Sequence, residues 1–332
     1  MQNKIKILVT GAEGFIGSHF IQTLIKTKKY NITALVLYNS FNKKGWIETF
    51  SKIEKNQIKV VFGDIRDDQL VDKVVKGKDV VVNLAALIGI PYSYVAPKSY
   101  LDVNVIGLMN LMNSSMKYKI KRFVQISTSE VYGFAKNFPI NENEPLVANS
   151  PYSASKIAAE SICTSFFKSF NFPVVILRPF NAYGPRQSLR AIIPTIINQL
   201  LSNKKKIKLG NINTTRDFNY VGDIAQGIEK SIQKKGLEGE IINIGSGYEI
   251  SIKNIFKMIS NLMRVDSKIM IEKMRVRPHK SEVNRLMANN FKARKKLYWK
   301  PQIRGKKGLE IGLIKTIEWF KKNPRSNDDY NI

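Results

Sequence analysis

Tyr152 and Lys156 stand four residues apart, so on a helix they share one face. An ammonium beside a phenol favours the phenolate, and a phenolate can take the proton of a hydroxyl while hydride leaves the same carbon. Upstream lies Ser127-Thr128-Ser129-Glu130, in which Thr128 can hydrogen-bond the oxygen that becomes a ketone. Glu130 is a second, independent acid/base group. A carboxylate beside a ketone can abstract the acidified proton on the neighbouring carbon. Loss of a hydroxyl one carbon further then gives an enone, to which the hydride can return. Plain alcohol oxidation needs only the first of these chemistries; this chain carries residues for both.

A hydride needs an acceptor, and the N-terminal loop Gly11-Ala-Glu-Gly14-Phe15-Ile16-Gly17 offers a seat for one. It follows a strand-like run directly and opens a helix near Phe15. Glycines allow the tight turn and close approach to a pyrophosphate, and the helix N-terminus supplies N–H donors. The end of the second strand, where an acidic residue would grip the adenosine ribose, reads Leu37-Tyr-Asn-Ser-Phe-Asn-Lys43-Lys44 with no carboxylate. NAD is the expected cofactor, with NADP left open because Lys43 or Lys44 is available for a 2′-phosphate. Asp64 and Ile65, after the third strand, are placed to meet the adenine. Leu84, Ala85 and Ala86 end the fourth strand with small residues where the dinucleotide must lie close.

These residues have to be positioned, and the apolar runs indicate how. Strand-like stretches at 4–9, 31–37, 58–62, 80–84, 122–127 and 174–178 alternate with amphipathic helical ones, the mark of a parallel sheet covered on both faces. Right-handed crossovers make this a doubly wound α/β fold, with 240–244 joining the same sheet late. Residues 1–180 are read as the dinucleotide-binding domain. Residues 181–325 are read as a smaller, interleaved α+β substrate lobe, and the tail from Asn323 is expected to fray. The Tyr152/Lys156 helix is expected to start near Pro151. Glu130 falls just past the fifth strand, in the crevice where such sheets bind ligands.

The composition is that of a globular protein, with 43% hydrophobic residues over 332 and no apolar run long enough to span a membrane. The start passes at once into a strand pattern, leaving no room for a signal peptide, and a cytoplasmic protein is expected. Cys163 is the only cysteine, which excludes an intrachain disulfide and a cysteine zinc site; it reads as a buried helix residue, and no metal is expected. A net charge of +28 suggests a polyanion partner. The basic residues are nevertheless spread along the chain without a nucleic-acid motif. A bias toward Lys, Asn and Ile is the more economical account, and neither nucleic acid nor membrane is expected as a partner.

The glycine loop, Asp64-Ile65, Tyr152/Lys156, Arg178-Pro-Phe-Asn-Ala-Tyr-Gly-Pro-Arg186 and Thr215-Arg-Asp-Phe-Asn-Tyr-Val-Gly-Asp223 together resemble the extended short-chain dehydrogenase/reductases acting on nucleotide sugars, with a Rossmann domain. Thr128-Ser129-Glu130 is similar to the triplet of GDP-mannose 4,6-dehydratases; the dTDP-glucose enzymes carry Asp at the middle place. The stretches 34–42, 85–94 and 277–283 resemble the 4,6-dehydratases of legionaminic acid biosynthesis, which act on a nucleotide-linked N-acetylglucosamine. The resemblance implies that Thr128 polarises the C4 oxygen, Tyr152 is the C4 base with Lys156 as partner, and Glu130 is the C5 base. Ser129 stands where an Asp would protonate the departing C6 hydroxyl, which leaves that acid open, Glu130 being the simplest candidate. Asn181, Arg186, Arg216 and Arg277 join Thr128 and Ser129 in the implied substrate site, Arg216 and Arg277 pairing with the diphosphate and Asn181 touching a phosphate or the sugar. A homodimer through the helices around 100–117 and 152–170 is implied as well. GDP and UDP stay open. The rival readings are a UDP-glucuronate decarboxylase, a 4-epimerase, and a non-catalytic dinucleotide- or nucleic-acid-binding protein.

Overall fold

The computed structural model describes residues 4–202 and 204–324; most of the tail expected to fray lies outside the described residues. Seven strands form one parallel sheet: β1 (Ile5–Thr10), β2 (Tyr30–Leu37), β3 (Ile58–Gly63), β4 (Val80–Asn83), β5 (Arg122–Ile126), β6 (Val174–Pro179) and, after three strands of the second lobe, β10 (Ile241–Ile244). Their order is β10-β6-β5-β4-β1-β2-β3. The period of two along each strand splits its apolar residues between two cores. Ile7, Val9, Val82, Val124 and Leu177 face one core, whereas Leu8, Val81, Phe123 and Ile176 face the other. Helices close both: α1 (Phe15–Thr27) covers the first, and α3 (Asp68–Val75), α6 (Gly107–Lys117) and α7 (Pro151–Phe170) the second. Between β2 and α3 lies the short α2 (Lys52–Lys55), and between β4 and α6 lie α4 (Ile90–Val95) and α5 (Pro97–Leu101).

Beyond β6 the chain builds a smaller lobe. Strand β9 (Thr215–Tyr220) pairs with β7 (Asn181–Tyr183), β11 (Glu249–Ser251) and β13 (Arg285–Leu286), and β8 (Lys206–Leu209) pairs with β12 (Lys268–Ile271). Helices α8 (Ile192–Leu201), α10 (Ile252–Met263) and α12 (Gly305–Lys322) enclose its own core around Ile196, Phe256 and Leu313. The expected assignment of 181–325 to this lobe needs correction. Helices α9 (Val221–Gln233) and α11 (Phe291–Leu297) bury Ile224, Ile228, Ala293 and Leu297 in the first core of the large sheet. The reason is the crossover from β6 to β10: parallel neighbours need a helix between them, and α9 supplies it on the face of α1, packed beside that helix. No helix among the described residues is long and apolar enough to cross a membrane.

Candidate active site

The C-terminal ends of β4, β5 and β6 open into the cleft between the lobes. Helix α7 starts there because Ser150 caps it, accepting from Ser153 N at 3.1 Å, with Pro151 at the first helical position. This fixes Tyr152 in the first turn and Lys156 one turn on, both buried. The Tyr152 ring meets Tyr100 edge-on at 6.2 Å. Burial pushes the Tyr152 phenol well above its ordinary pKa; a hydrogen bond with the Thr128 hydroxyl pulls it down, and the Glu130 charge pushes it up. Lys156 Nζ donates to the Ile126 carbonyl at 2.7 Å, and burial lowers its pKa to about 8 against the opposing pull of Glu160. Lys156 follows Tyr152 by one turn of α7, and its ammonium is tethered at the end of β5.

Thr128 caps a single 3-10 turn, Ser129–Tyr132, accepting from Glu130 N at 3.2 Å. Ser129 is buried within that turn. Glu130 projects to the cleft, where Arg277 Nη1 lies 3.7 Å from its Oε2. That nitrogen is buried and has no hydrogen-bond partner. Arg216 lies in the same charge cluster: it is buried, it feels Glu130 and Arg277, and its Nη2 stands 3.5 Å from Glu282. A cavity of about 670 Å³ opens beside Arg277, lined also by Phe134, Lys280 and Glu282. Asn181 Oδ1, at the start of β7, is buried without a partner. Arg186 is not brought to this cluster by any contact. Its Nη2 donates to Gln22 Oε1 on α1 at 2.8 Å, and its guanidinium lies over the Phe50 ring.

The glycine loop has the shape a dinucleotide requires. Gly11 has φ +61°, and a Cβ there would come within 2.8 Å of Ala85 N and the Leu84 carbonyl carbon. A Cβ on Gly17 would lie 2.1 Å from the Gly11 oxygen. No side chain caps α1 at Gly14, so the N–H groups of Phe15, Ile16 and Gly17 in the first turn face an anion's place. Ala85 N is held by Thr10 Oγ1 at 3.2 Å, which keeps the small residues Leu84, Ala85 and Ala86 against the loop. These features fit NAD. Asp64 is drawn into a tight pair with Arg66 (2.6 Å), which holds its carboxyl below the usual range. Ile65 packs into the second core, where a Cβ on Gly107 would meet it at 2.6 Å. Among the described residues no group of three or more His, Cys, Asp or Glu is placed to hold a metal ion.

Several residues that shape the site were not singled out from the sequence. Asn104 sits in a π-helical turn (Asp102–Ile106) and donates to Ser155 Oγ at 2.9 Å, while Ser155 Oγ donates to the Tyr152 carbonyl at 2.7 Å. Such a turn rotates one side chain out of α-helical register, and it is frequent at functional sites. Beneath the cleft Arg178 clamps Glu160 (2.5 Å from Nη2 to Oε2) and donates to Tyr132 OH at 2.8 Å, which donates to Asn243 Oδ1 at 2.6 Å. Ser127 Oγ donates to the same Glu160. The available signal was Glu160 itself, an acid four residues past Lys156. Over the cleft, Tyr94 OH and Ser281 Oγ are 2.5 Å apart. That contact joins the stretch 85–94 to the stretch 277–283.

The family model described as GDP-mannose 4,6 dehydratase matches residues 8–311. A putative UDP-glucose 4-epimerase of Methanocaldococcus jannaschii is 33% identical over 96% of this chain and 100% of its own. A dTDP-D-glucose 4,6-dehydratase of Mus musculus is 32% identical over 96% of this chain and 89% of its own. The crystal structure of a UDP-glucuronic acid 4-epimerase from Bacillus cereus, in complex with UDP-glucuronic acid and NAD, superposes with a TM-score of 0.87 at 30% identity, covering 96% of this chain and 100% of that one. With the doubly wound sheet, the glycine cradle and the Thr128–Glu130–Tyr152–Lys156 cluster, this chain belongs to the family of NAD-dependent nucleotide-sugar 4,6-dehydratases and epimerases.

Proposed function

We propose that the protein catalyses 4,6-dehydration of a nucleotide-linked N-acetylglucosamine, GDP- or UDP-, to the 4-keto-6-deoxy sugar nucleotide, for a legionaminic-acid-type surface glycan. The observation that carries the reading is the second acid/base group: Glu130 lies near enough to the Tyr152 phenol for its charge to act on it. Epimerisation at C4 has no use for a base at C5. The meeting of the stretches 85–94 and 277–283 at Tyr94 and Ser281 supports the finer resemblance, since both lie at one cleft.

NAD held at the glycine loop, Gly11 to Gly17, would supply the hydride acceptor for C4 and the hydride donor for C6. Tyr152 takes the C4 hydroxyl proton, with Thr128 as hydrogen-bond partner, and Lys156, anchored at Ile126, keeps a positive charge beneath them. Glu130 then removes the C5 proton that the new ketone has acidified. The C6 hydroxyl leaves as water with the proton Glu130 has gained. As hydride is delivered to C6, C5 takes a proton from solvent by way of Glu130, and Tyr152 releases to solvent the proton it took from the C4 hydroxyl, so that protons balance. Ser129, buried in the turn, is no acid, and Glu130 is the simplest candidate for both transfers. Arg277 and Arg216 face the diphosphate, and Asn181 offers its free oxygen to a sugar hydroxyl. The subunits pair through the helical stretches 100–117 and 152–170, a reading supported by exposed Leu101, Ile106, Met109 and Met116 along the first stretch; light scattering giving a monomer would remove this point.

The test separates the two chemistries. Glu130→Gln, mixed with the sugar nucleotide, should accumulate reduced cofactor by absorbance while releasing no dehydrated product. Dehydration at the wild-type rate in that variant would remove the C5-base role. A decarboxylase remains the second reading, because Arg277 beside Glu130 could hold a substrate carboxylate.

A further inference from the structure

We propose that Glu13, inside the glycine loop, grips the adenosine ribose and selects NAD over NADP. In a doubly wound sheet the ribose lies past the end of the second strand, where an acidic side chain accepts its hydroxyls. This chain has none in the run that leaves β2, from Tyr38 to Lys44. The structure brings one in from the neighbouring loop. Glu13 Oε1 accepts from Leu37 N, the last residue of β2, at 3.0 Å. The carboxylate is thereby pinned across the crest between β1 and β2.

Its other oxygen, Oε2, is shielded from solvent and has no hydrogen-bond partner. The backbone around it is fixed from the far side. Trp46 N donates to the Glu13 carbonyl at 3.0 Å, and Gly45, at φ +53°, passes so close that a Cβ would fall 2.8 Å from that oxygen. An acceptor held in place, withdrawn from water and unpaired costs free energy until a donor reaches it. Burial accordingly pushes the Glu13 pKa up, while the Leu37 N–H pulls it down. Glu13 is only partly buried, its Oε1 end lying at the exposed crest beside Leu37 N, and a ribose diol donating there would add a second hydrogen bond to the carboxylate. A 2′-phosphate supplies none when ionised, and it would bring about two negative charges against a carboxylate. Lys43 and Lys44, which the sequence offered for that phosphate, are exposed.

The test is a binding measurement on the whole chain, with no sugar nucleotide present. Its outcome is therefore independent of the reaction proposed above. The cofactor that copurifies is identified by mass spectrometry, and NAD is expected; NADP would overturn the assignment. Protein freed of cofactor is then titrated with NAD, NADP and NAD lacking the adenosine 2′-hydroxyl. Wild type should bind NAD about a hundredfold more tightly than NADP and lose about tenfold without the 2′-hydroxyl. Glu13→Gln keeps an acceptor for Leu37 N but removes the charge, and should narrow the NAD-to-NADP ratio to about tenfold or less. An unchanged ratio in that variant would refute the proposal. So would equal wild-type affinity for the 2′-deoxy cofactor, a comparison that needs no variant to fold.

Discussion

Two arginine–carboxylate pairs lie within one site and do opposite work. Arg178 and Glu160, in the floor, are almost wholly buried and meet through several hydrogen bonds, the shortest 2.5 Å, with Ser127 and Tyr132 taking up further capacity. Arg277 and Glu130, at the rim, stand 3.7 Å apart, partly open, with a guanidinium nitrogen left unpartnered. A saturated buried pair holds elements in register: this one ties β5, β6, α7 and, through Tyr132, the turn that carries Glu130. A loose pair beside a cavity keeps its hydrogen-bonding capacity for a ligand. The difference shows that ion pairing by itself does not mark chemistry; unspent capacity does.

The comparison is broken most forcefully at the floor. Glu160→Ala leaves Arg178 buried and unpaired, and should cost about 3–5 kcal/mol of stability by denaturant unfolding. Glu130→Gln at the rim should instead leave stability within about 0.5 kcal/mol of wild type, while dehydration falls by about a hundredfold or more. If both variants lost stability equally, the distinction between floor and rim would fail.

Lys156 belongs to the floor by burial and to the chemistry by its proposed role, and pH separates the two. Its folded pKa of about 8 lies below its ordinary 10.5. Between those values the unfolded chain holds the proton and the native one does not, so stability contributed at this site rises with pH. Wild type should therefore gain on Lys156→Met by on the order of 2 kcal/mol as pH climbs from about 8 to 10.5. Turnover should fall over the same window as the ammonium is lost. A parallel stability profile for the two proteins would contradict the assignment.

At the rim, Arg277→Gln should raise KM for the sugar nucleotide by about tenfold with a smaller change in kcat, as expected when a diphosphate contact is shared by ground and transition states. A loss confined to kcat would place Arg277 with Glu130 as part of the acid/base step instead.

Much of this was legible in the chain. The seven strands of the large sheet follow from uninterrupted apolar runs, and α1 and α7 from the glycine loop and from Ser150-Pro151. Tyr152, Lys156 and Glu130 stand out because each lies just past a strand end or in the first two turns of a helix, where local sequence dictates direction. Partners chosen across the fold could not be found in this way. Arg186 turns to Gln22, 164 residues away, and Glu13 reaches Leu37 across two elements. The floor is the clearest case: Arg178 falls in a motif, whereas Glu160 carries no local signal beyond its spacing from Lys156. Only the packing of α7 on β6 makes them one pair.

The most direct test of the central claim is to incubate the protein and NAD with GDP- and UDP-N-acetylglucosamine separately and weigh the products by mass spectrometry. The account predicts loss of one water from at least one of them, which would also name the nucleotide. An unchanged mass with an inverted C4 centre by proton NMR would contradict it and make the protein an epimerase. Loss of carbon dioxide from UDP-glucuronate, with both acetylglucosamine nucleotides untouched, would contradict it in favour of a decarboxylase.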